Sequence, residues 1–491
     1  MQKHILSKST FIKGLQCEKA LYLSKFHREL RDELSSQKEA IFSQGNKVGQ
    51  LSQQLFPGGI DCTPESVFDF QKAVIRTKEE IEKGAAIIYE AAFQFNEVLV
   101  ALDILVKDEE GWKAYEVKSS TSISKTYELD ASIQYYTITN SGIDLLDISI
   151  VHINNKYVKS GEIDITQLFS ITSVKNKVLE LLPNIPEQIE KLKNILKQKE
   201  IPQKEIGSHC SSPYQCDFAG HCWKDVPDYS VFDISRLSDK KKFKLYENGI
   251  LNLKDIPEEF PLSAQQKAQV HSEKSNETII NKVEIQKFVN QLKYPLYFLD
   301  FETFANAIPV LDNSRPYQQL VFQYSLHVEN LNSQVSHFEY LAKIDGSDPR
   351  IEFIHQLIRE CGTEGDIIVY NKGFEKGKIY DLSIQFPEFQ KELNSIIDRL
   401  VDLMIPFQNK WYYTPDMKGS YSIKKVLPAL VPELSYSDLE ISEGGTASST
   451  FANMFSGDFT GDIDKTRKDL LEYCKLDTLA MVEILKKLKD I

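Results

Sequence analysis

No apolar run in the 491-residue chain approaches the roughly 20 residues that a membrane-spanning helix needs. The N-terminal stretch, with Lys3, Lys8 and Lys13 among polar neighbours, lacks the apolar core of a secretory signal. The expectation is a cytoplasmic protein with no membrane partner. Cysteine is sparse, and seven in a chain of this length do not make a disulfide scaffold. No internal repeat or low-complexity tract is present either. Positive charge is in deficit: 58 Lys and Arg against 71 Asp and Glu leave a net charge of -13, which argues against a non-specific nucleic-acid coat. An enzyme acting on nucleic acid is not excluded, because metal-binding carboxylates are themselves acidic and binding needs only a local basic stripe. The first 50 residues hold 9 basic against 5 acidic side chains and are the better candidate for a phosphate-facing surface.

Ordinary composition over this length implies about two to four domains. The strongest strand signal is Tyr297-Phe-Leu-Asp300-Phe-Glu302-Thr303. Residues two apart on a strand share a face, so Asp300 and Glu302 can grip one hard cation together. Near the C-terminus Tyr473 and Asp477 stand four apart in a segment of helical period and can reach one site. Between them, Val369-Tyr-Asn-Lys-Gly-Phe-Glu375 closes an apolar strand and offers a third carboxylate, with Asp402 as a spare candidate that reads equally well as a strand-end acid. An Asp-x-Glu pair alone is usually a solvated strand end; the order of the whole set is what suits a two-metal hydrolytic site. This set resembles the DEDD-type exonucleases of ribonuclease-H-like fold, in the subclass with Tyr-x-x-x-Asp as its last motif. The resemblance implies metal binding (Mg2+ or Mn2+) by Asp300, Glu302, Glu375 and Asp477, with Tyr473 orienting the attacking water. The middle motif more often ends in Asp than in Glu.

Two strands are expected near the N-terminus, 98–106 and 112–118, joined by a polar turn. Glu116 and Lys118 share a face, and a hairpin can bring Asp103 beside them, which assembles a phosphodiester-hydrolysing constellation. A lone Asp-x12-Glu-x-Lys is a common accident, but Asp130-Ala-Ser-Ile-Gln134-Tyr-Tyr follows on an expected helix. Together these resemble the PD-(D/E)XK nucleases of the RecB family. That implies metal binding by Asp103 and Glu116, a catalytic Lys118, and a site-supporting or DNA-facing Gln134. The histidine that many relatives carry is missing from 45–49, and Glu90 reads more readily as a helix-surface glutamate.

Three of the cysteines, Cys210, Cys216 and Cys222, are threaded with Pro213 and Gly220 and can converge on one centre, with Cys17 as a fourth thiolate. Four thiolates also suit zinc. The spacing of one distant N-terminal cysteine and three late ones resembles the iron-sulfur RecB-like nucleases, AddB-type and CRISPR-associated exonucleases among them, and implies a 4Fe-4S cluster that clamps the two ends of the nuclease domain.

Elsewhere the pattern predicts a helix running through 14–23 after a polar, capping start at 6–11, helices at 41–55 and 73–95, strands within 148–168, a long charged helix over 170–200, and a helical connector at 226–290. In that connector 245–256 is similar to a helix-hairpin-helix element, although packing explains it as readily. The Gly-, Ser- and Thr-rich stretch 442–460 is expected to be a loop over the site. The whole is similar to bacterial proteins that fuse an iron-sulfur RecB-like nuclease to a ribonuclease-H-like domain. The expected organisation is therefore α/β, with a restriction-endonuclease-like domain at 1–225, the connector, and a ribonuclease-H-like domain at 291–491. The expected activity is metal-dependent, exonucleolytic hydrolysis of DNA. The alternatives are a nucleic-acid-binding or defence-complex subunit with degenerate sites, and RNA processing by the C-terminal domain.

Overall fold

The computed structural model describes residues 4–66, 69–437 and 439–491, so Lys3 of the basic N-terminal stretch lies outside it. The chain is mixed α/β and divides into two compact units. Unit 1 comprises 1–225 with 306–317, and unit 2 comprises 226–305 with 318–491. The expected connector thus belongs to unit 2. Among the described residues no helix is long and apolar enough to cross a membrane.

Unit 1 is built on a seven-stranded sheet. Its central hairpin pairs Val98–Lys107 with Trp112–Lys118 antiparallel, and Ile104 faces Tyr115, which sets Asp103 beside Glu116 as the alternation requires. On one side Ile87–Phe95 runs antiparallel to Val98–Lys107; on the other, Leu145–Ile153 runs parallel to Trp112–Lys118 after the crossover helix Lys125–Asn140. The expected helix over 73–95 is corrected here: a helix spans Phe70–Glu82, Gly84 turns the chain at φ +88°, and Ile87–Phe95 is a strand. Its alanines are buried between sheet neighbours, where packing outweighs their weak strand preference. The expected long helix over 170–200 is also replaced, by the strand Phe169–Ser173 and helices Lys175–Leu181 and Ile185–Leu196, with Pro183 and Pro186 at the break. The N-terminal helix is two, Lys8–Gln16 and Glu18–Phe26, with Cys17 extended between them.

Unit 2 carries a five-stranded sheet. In spatial order the strands are Val335–Leu341, Leu320–Glu329, Leu296–Phe304, Asp366–Val369 and Leu400–Asp402. The first three are antiparallel and the last two run parallel to Leu296–Phe304, the strand that bears Asp300 and Glu302. The 27-residue helix Ile463–Lys489 lies against this sheet. Gln323 donates to the Leu470 carbonyl, and Thr478 meets Ser325 and His327, which fixes the helix register over the acid strand. The stretch expected as a loop at 442–460 is instead the helix Gly444–Ser456. It is held by Phe451, stacked on Phe322 at 4.0 Å, and by Phe455 against Phe304. The segment 226–290 has its own apolar cluster, including Val231, Leu245, Leu253 and Ile256.

Candidate active sites

In unit 2 the acid strand and the late helix meet. One ligand oxygen each from Asp300, Glu302 and Asp477 can be chosen so that all lie within 4.8 Å of one another, and this is the one such His, Cys, Asp or Glu group among the described residues. Asp477 is buried, held by the Tyr436 hydroxyl, which donates to its Oδ1 at 2.6 Å. The Cys474 thiol lies 3.7 Å from Asp300 Oδ2. Glu375, on the first turn of the helix Gly373–Gln385, stands outside the trio and is buried, and its Oε2 has no hydrogen-bond partner. Asp402 is not a member: it accepts from the backbone amides of Asn371, Lys372 and Met404 and organises the turn before Glu375.

Burial is the main influence on these acids, and their mutual repulsion adds to it. Asp300 keeps a partly open edge, yet burial and the charges of Asp477, Glu302 and Glu375 push its carboxyl well above the usual range. Glu302 is raised by burial and by Asp477. Burial brings Glu375 to about 8. Burial also lifts Asp477, to about 6, against the opposing hydrogen bonds from Tyr436 and Tyr473 and the charge of Lys424. Lys424 is the cation that relieves Glu302 and Asp477, and its ammonium lies 5.0 Å from the Tyr473 ring centre. Such a set, with an orphaned buried oxygen, fits a hard divalent cation ligated by oxygens. A Cβ on Gly444 would stand 3.7 Å from both Glu302 Oε2 and the Tyr473 hydroxyl, so the helix start closes over the acids as the expected loop would have.

In unit 1 the structure brings together all four expected residues. Glu116 is buried and fully engaged: Lys8 (2.5 Å) and Lys118 (2.8 Å) donate to Oε1, and Gln134 donates to Oε2 at 2.8 Å. Lys118 also reaches Asp130 at 2.7 Å. Asp103 accepts from the Val117 amide. Burial acts to raise Glu116, but the two ammonium groups hold its carboxyl far below the usual range. Asp103 is pushed well up by burial and by Glu116. Glu90 is not on a helix: it sits in a strand at φ +52°, and burial and Glu116 bring it to about 7. A side chain in that left-handed region is backbone strain concentrated at the acid cluster.

The cysteines converge as well. Cys17, Cys210, Cys216 and Cys222 line one small cavity. Gln16 donates to the carbonyls of His209 and Tyr214, and Lys13 and Arg31 pair with Asp217, which joins the first helices to the late loop. Burial, together with the other three cysteines, pushes the Cys216 thiol up to about 11.

Lys8, Asp130, Lys424 and Tyr436 had no assigned role in the sequence. Lys8 and Tyr436 carry no periodic or motif signal. Lys424 falls within the helix start Gly419-Ser-Tyr-Ser-Ile-Lys-Lys425, and only the direction of its side chain was hidden.

A family described as a domain of unknown function (DUF2779) matches residues 297–422. That stretch holds Asp300, Glu302 and Glu375 and stops before Tyr473 and Asp477. An uncharacterized protein of Ureaplasma parvum is 28% identical over 247 residues, covering 44% of this chain and 35% of the relative. Uncharacterized proteins of Mycoplasma genitalium and Mycoplasma pneumoniae are 27% and 30% identical over 222 and 221 residues, each match covering 41% of this chain and 33% of the relative. The chain spans about a third of the length of the curated relatives it matches.

Proposed function

We propose that this chain is a metal-dependent nuclease that hydrolyses phosphodiester bonds of DNA, at ends or on single strands, through two acidic centres. The observation that carries the reading is the convergence of Asp300, Glu302 and Asp477 beside Tyr473, from a central strand and a distant helix. The strand order of unit 2, an antiparallel trio followed by two strands parallel to the acid strand, supports a ribonuclease-H-like domain by analogy of fold. In unit 1, a hairpin that carries Asp103, Glu116 and Lys118, with Gln134 on the crossover helix, supports a RecB-like PD-(D/E)XK domain.

Bound divalent cations would polarise water and neutralise the phosphate's charge. Asp300, Glu302, Asp477 and Glu375 would hold them in unit 2, and Asp103 and Glu116 in unit 1. The Tyr473 hydroxyl would orient the incoming water. Lys118 keeps its proton firmly: burial opposes the charge, but Glu116 and Asp130 raise its pKa far beyond neutrality, so it would act as a fixed positive charge on the phosphate and not as a base.

Cys17, Cys210, Cys216 and Cys222, which line one cavity, would hold the iron-sulfur cluster that their spacing implies.

The test is anaerobically purified protein, analysed for iron, sulfide and zinc, and incubated with Mn2+ or Mg2+ on end-labelled single-stranded DNA and RNA beside Lys118→Ala, Asp300→Ala and the variant carrying both. Each single variant should lose a different part of the product ladder, by about 100-fold or more. Undiminished cutting by the double variant, or binding without any cation-dependent cutting by the parent, overturns the reading. Zinc without iron or sulfide overturns the cluster.

A further inference from the structure

Lys8 stands where a lysine is least expected. It opens the helix Lys8–Gln16, whose start is fixed by the Ser7–Thr10 capping box. The two residues before it, Leu6 and Ser7, pair in parallel with Val98 and Leu99 of the strand that carries Asp103. A cation at a helix N-terminus opposes the macrodipole, and burial opposes its charge again. What holds the ammonium inward is Glu116, at 2.5 Å, with Asp103 and Asp130 adding longer-range attraction.

Lys118 shares the same oxygen, Glu116 Oε1, but has Asp130 as a second acceptor at 2.7 Å. A divalent cation held by Glu116 would be repelled by the two ammonium groups that now donate to the same oxygen, and burial weakens the screening of that repulsion. The lysine whose hold depends on Glu116 yields first. Its side chain is 23% exposed, so it has a path outward.

We propose that Lys8 is a tethered competitor for the divalent cation at Asp103 and Glu116, and that cation binding turns its ammonium to a phosphodiester oxygen of the substrate strand. The inference rests on reading unit 1 as a hydrolytic site. It makes the N-terminal helix part of that site and couples cation uptake to phosphate capture.

Mn2+ titrated into the full chain, in an Asp300→Asn background that weakens the unit 2 site, tests it by the paramagnetic resonance of the free ion. Lys8→Met should bind Mn2+ about tenfold more tightly than the parent, and Lys8→Arg should stay near it. Lys8→Gln, which keeps a hydrogen-bonding group without the charge, should follow Lys8→Met and covers the case in which methionine disturbs folding. With Ca2+ in place of Mn2+, a labelled single-stranded oligodeoxynucleotide should bind Lys8→Met more weakly, with a salt slope shallower by about 1. Equal or weaker Mn2+ binding by both neutral variants overturns the competition. Tighter Mn2+ binding with unchanged oligonucleotide affinity overturns the phosphate step. If no variant or parent cuts DNA while the Mn2+ shift is present, it is the nuclease reading that fails and the competition that stands.

Discussion

At Glu116 two lysine ammonium groups and a glutamine amide meet one carboxylate, whereas in unit 2 a single lysine, Lys424, relieves Glu302 and Asp477 and leaves Asp300 and Glu375 without a cation's help. Both centres bury acids, and burial alone would neutralise them by protonation. Unit 1 brings its own cations and keeps Glu116 ionised. Unit 2 leaves Asp300, Glu302, Glu375 and Asp477 with raised proton affinity and a place for charge from outside. A buried carboxylate is therefore met in two ways: Glu116 is balanced by ammonium groups of its own unit, and the acids of unit 2 carry a charge deficit that binding can fill.

The largest expected effect breaks the comparison directly. In EDTA the raised acids of unit 2 bind more protons folded than unfolded, so stability falls as pH rises. Asp477 contributes this fall between its unfolded range near 4 and about 6, and Glu375 between the same lower limit and about 8. In unit 1 Glu116 has the opposite sign, its contribution being lost only as pH drops below about 4, while the raised Glu90, at about 7, and Asp103 add a fall of the same sign as that of unit 2. Thermal unfolding between pH 5 and 8, with each unit followed by hydrogen exchange, should show unit 2 weakening. Mn2+ at about 100 times its Kd should then return about 2.7 kcal/mol. A unit 2 stability flat across this range and indifferent to Mn2+ would remove the distinction between the two centres.

Gln134 sharpens the unit 1 half. It is fully buried, and its amide is the donor on Glu116 Oε2. Gln134→Ala should cost about 1–3 kcal/mol in urea unfolding, because a buried ionised acceptor is left short of a donor. A cost within error of zero would mean that the ammonium groups alone carry Glu116.

Both acid pairs were legible in the sequence because strand alternation is a local property: Asp300 with Glu302, and Asp103 opposite Glu116, follow from a period of two and one hairpin. The helix bearing Tyr473 and Asp477 was legible for the same reason, through its apolar period. What escaped was set by contacts distant in sequence. Lys8 reaches Glu116 across 108 positions, and Tyr436 reaches Asp477 across 41. The Gly444–Ser456 helix has a composition poor in helix formers and exists because Phe451 and Phe455 pack on Phe304 and Phe322. Ile87–Phe95, apolar on both faces, gave no alternation to distinguish strand from helix.

The smallest expected effect concerns Asn248-Gly249, the turn that is similar to a helix-hairpin-helix element. The helix Asp239–Glu247 is followed there by Gly249 at φ +75° and by the single 3-10 turn Leu253–Asp255. Leu245, Leu253 and Ile256 are buried in the local apolar cluster, so packing accounts for the turn without a phosphate. No atom lies within 4 Å of a Cβ built on Gly249, and Gly249→Ala therefore meets only the backbone penalty of that conformation, about 1–2 kcal/mol. DNA affinity at fixed salt should not change, since the variant keeps the fold and removes no contact to a strand. A drop in affinity larger than the loss of folded protein would assign the turn to nucleic-acid binding.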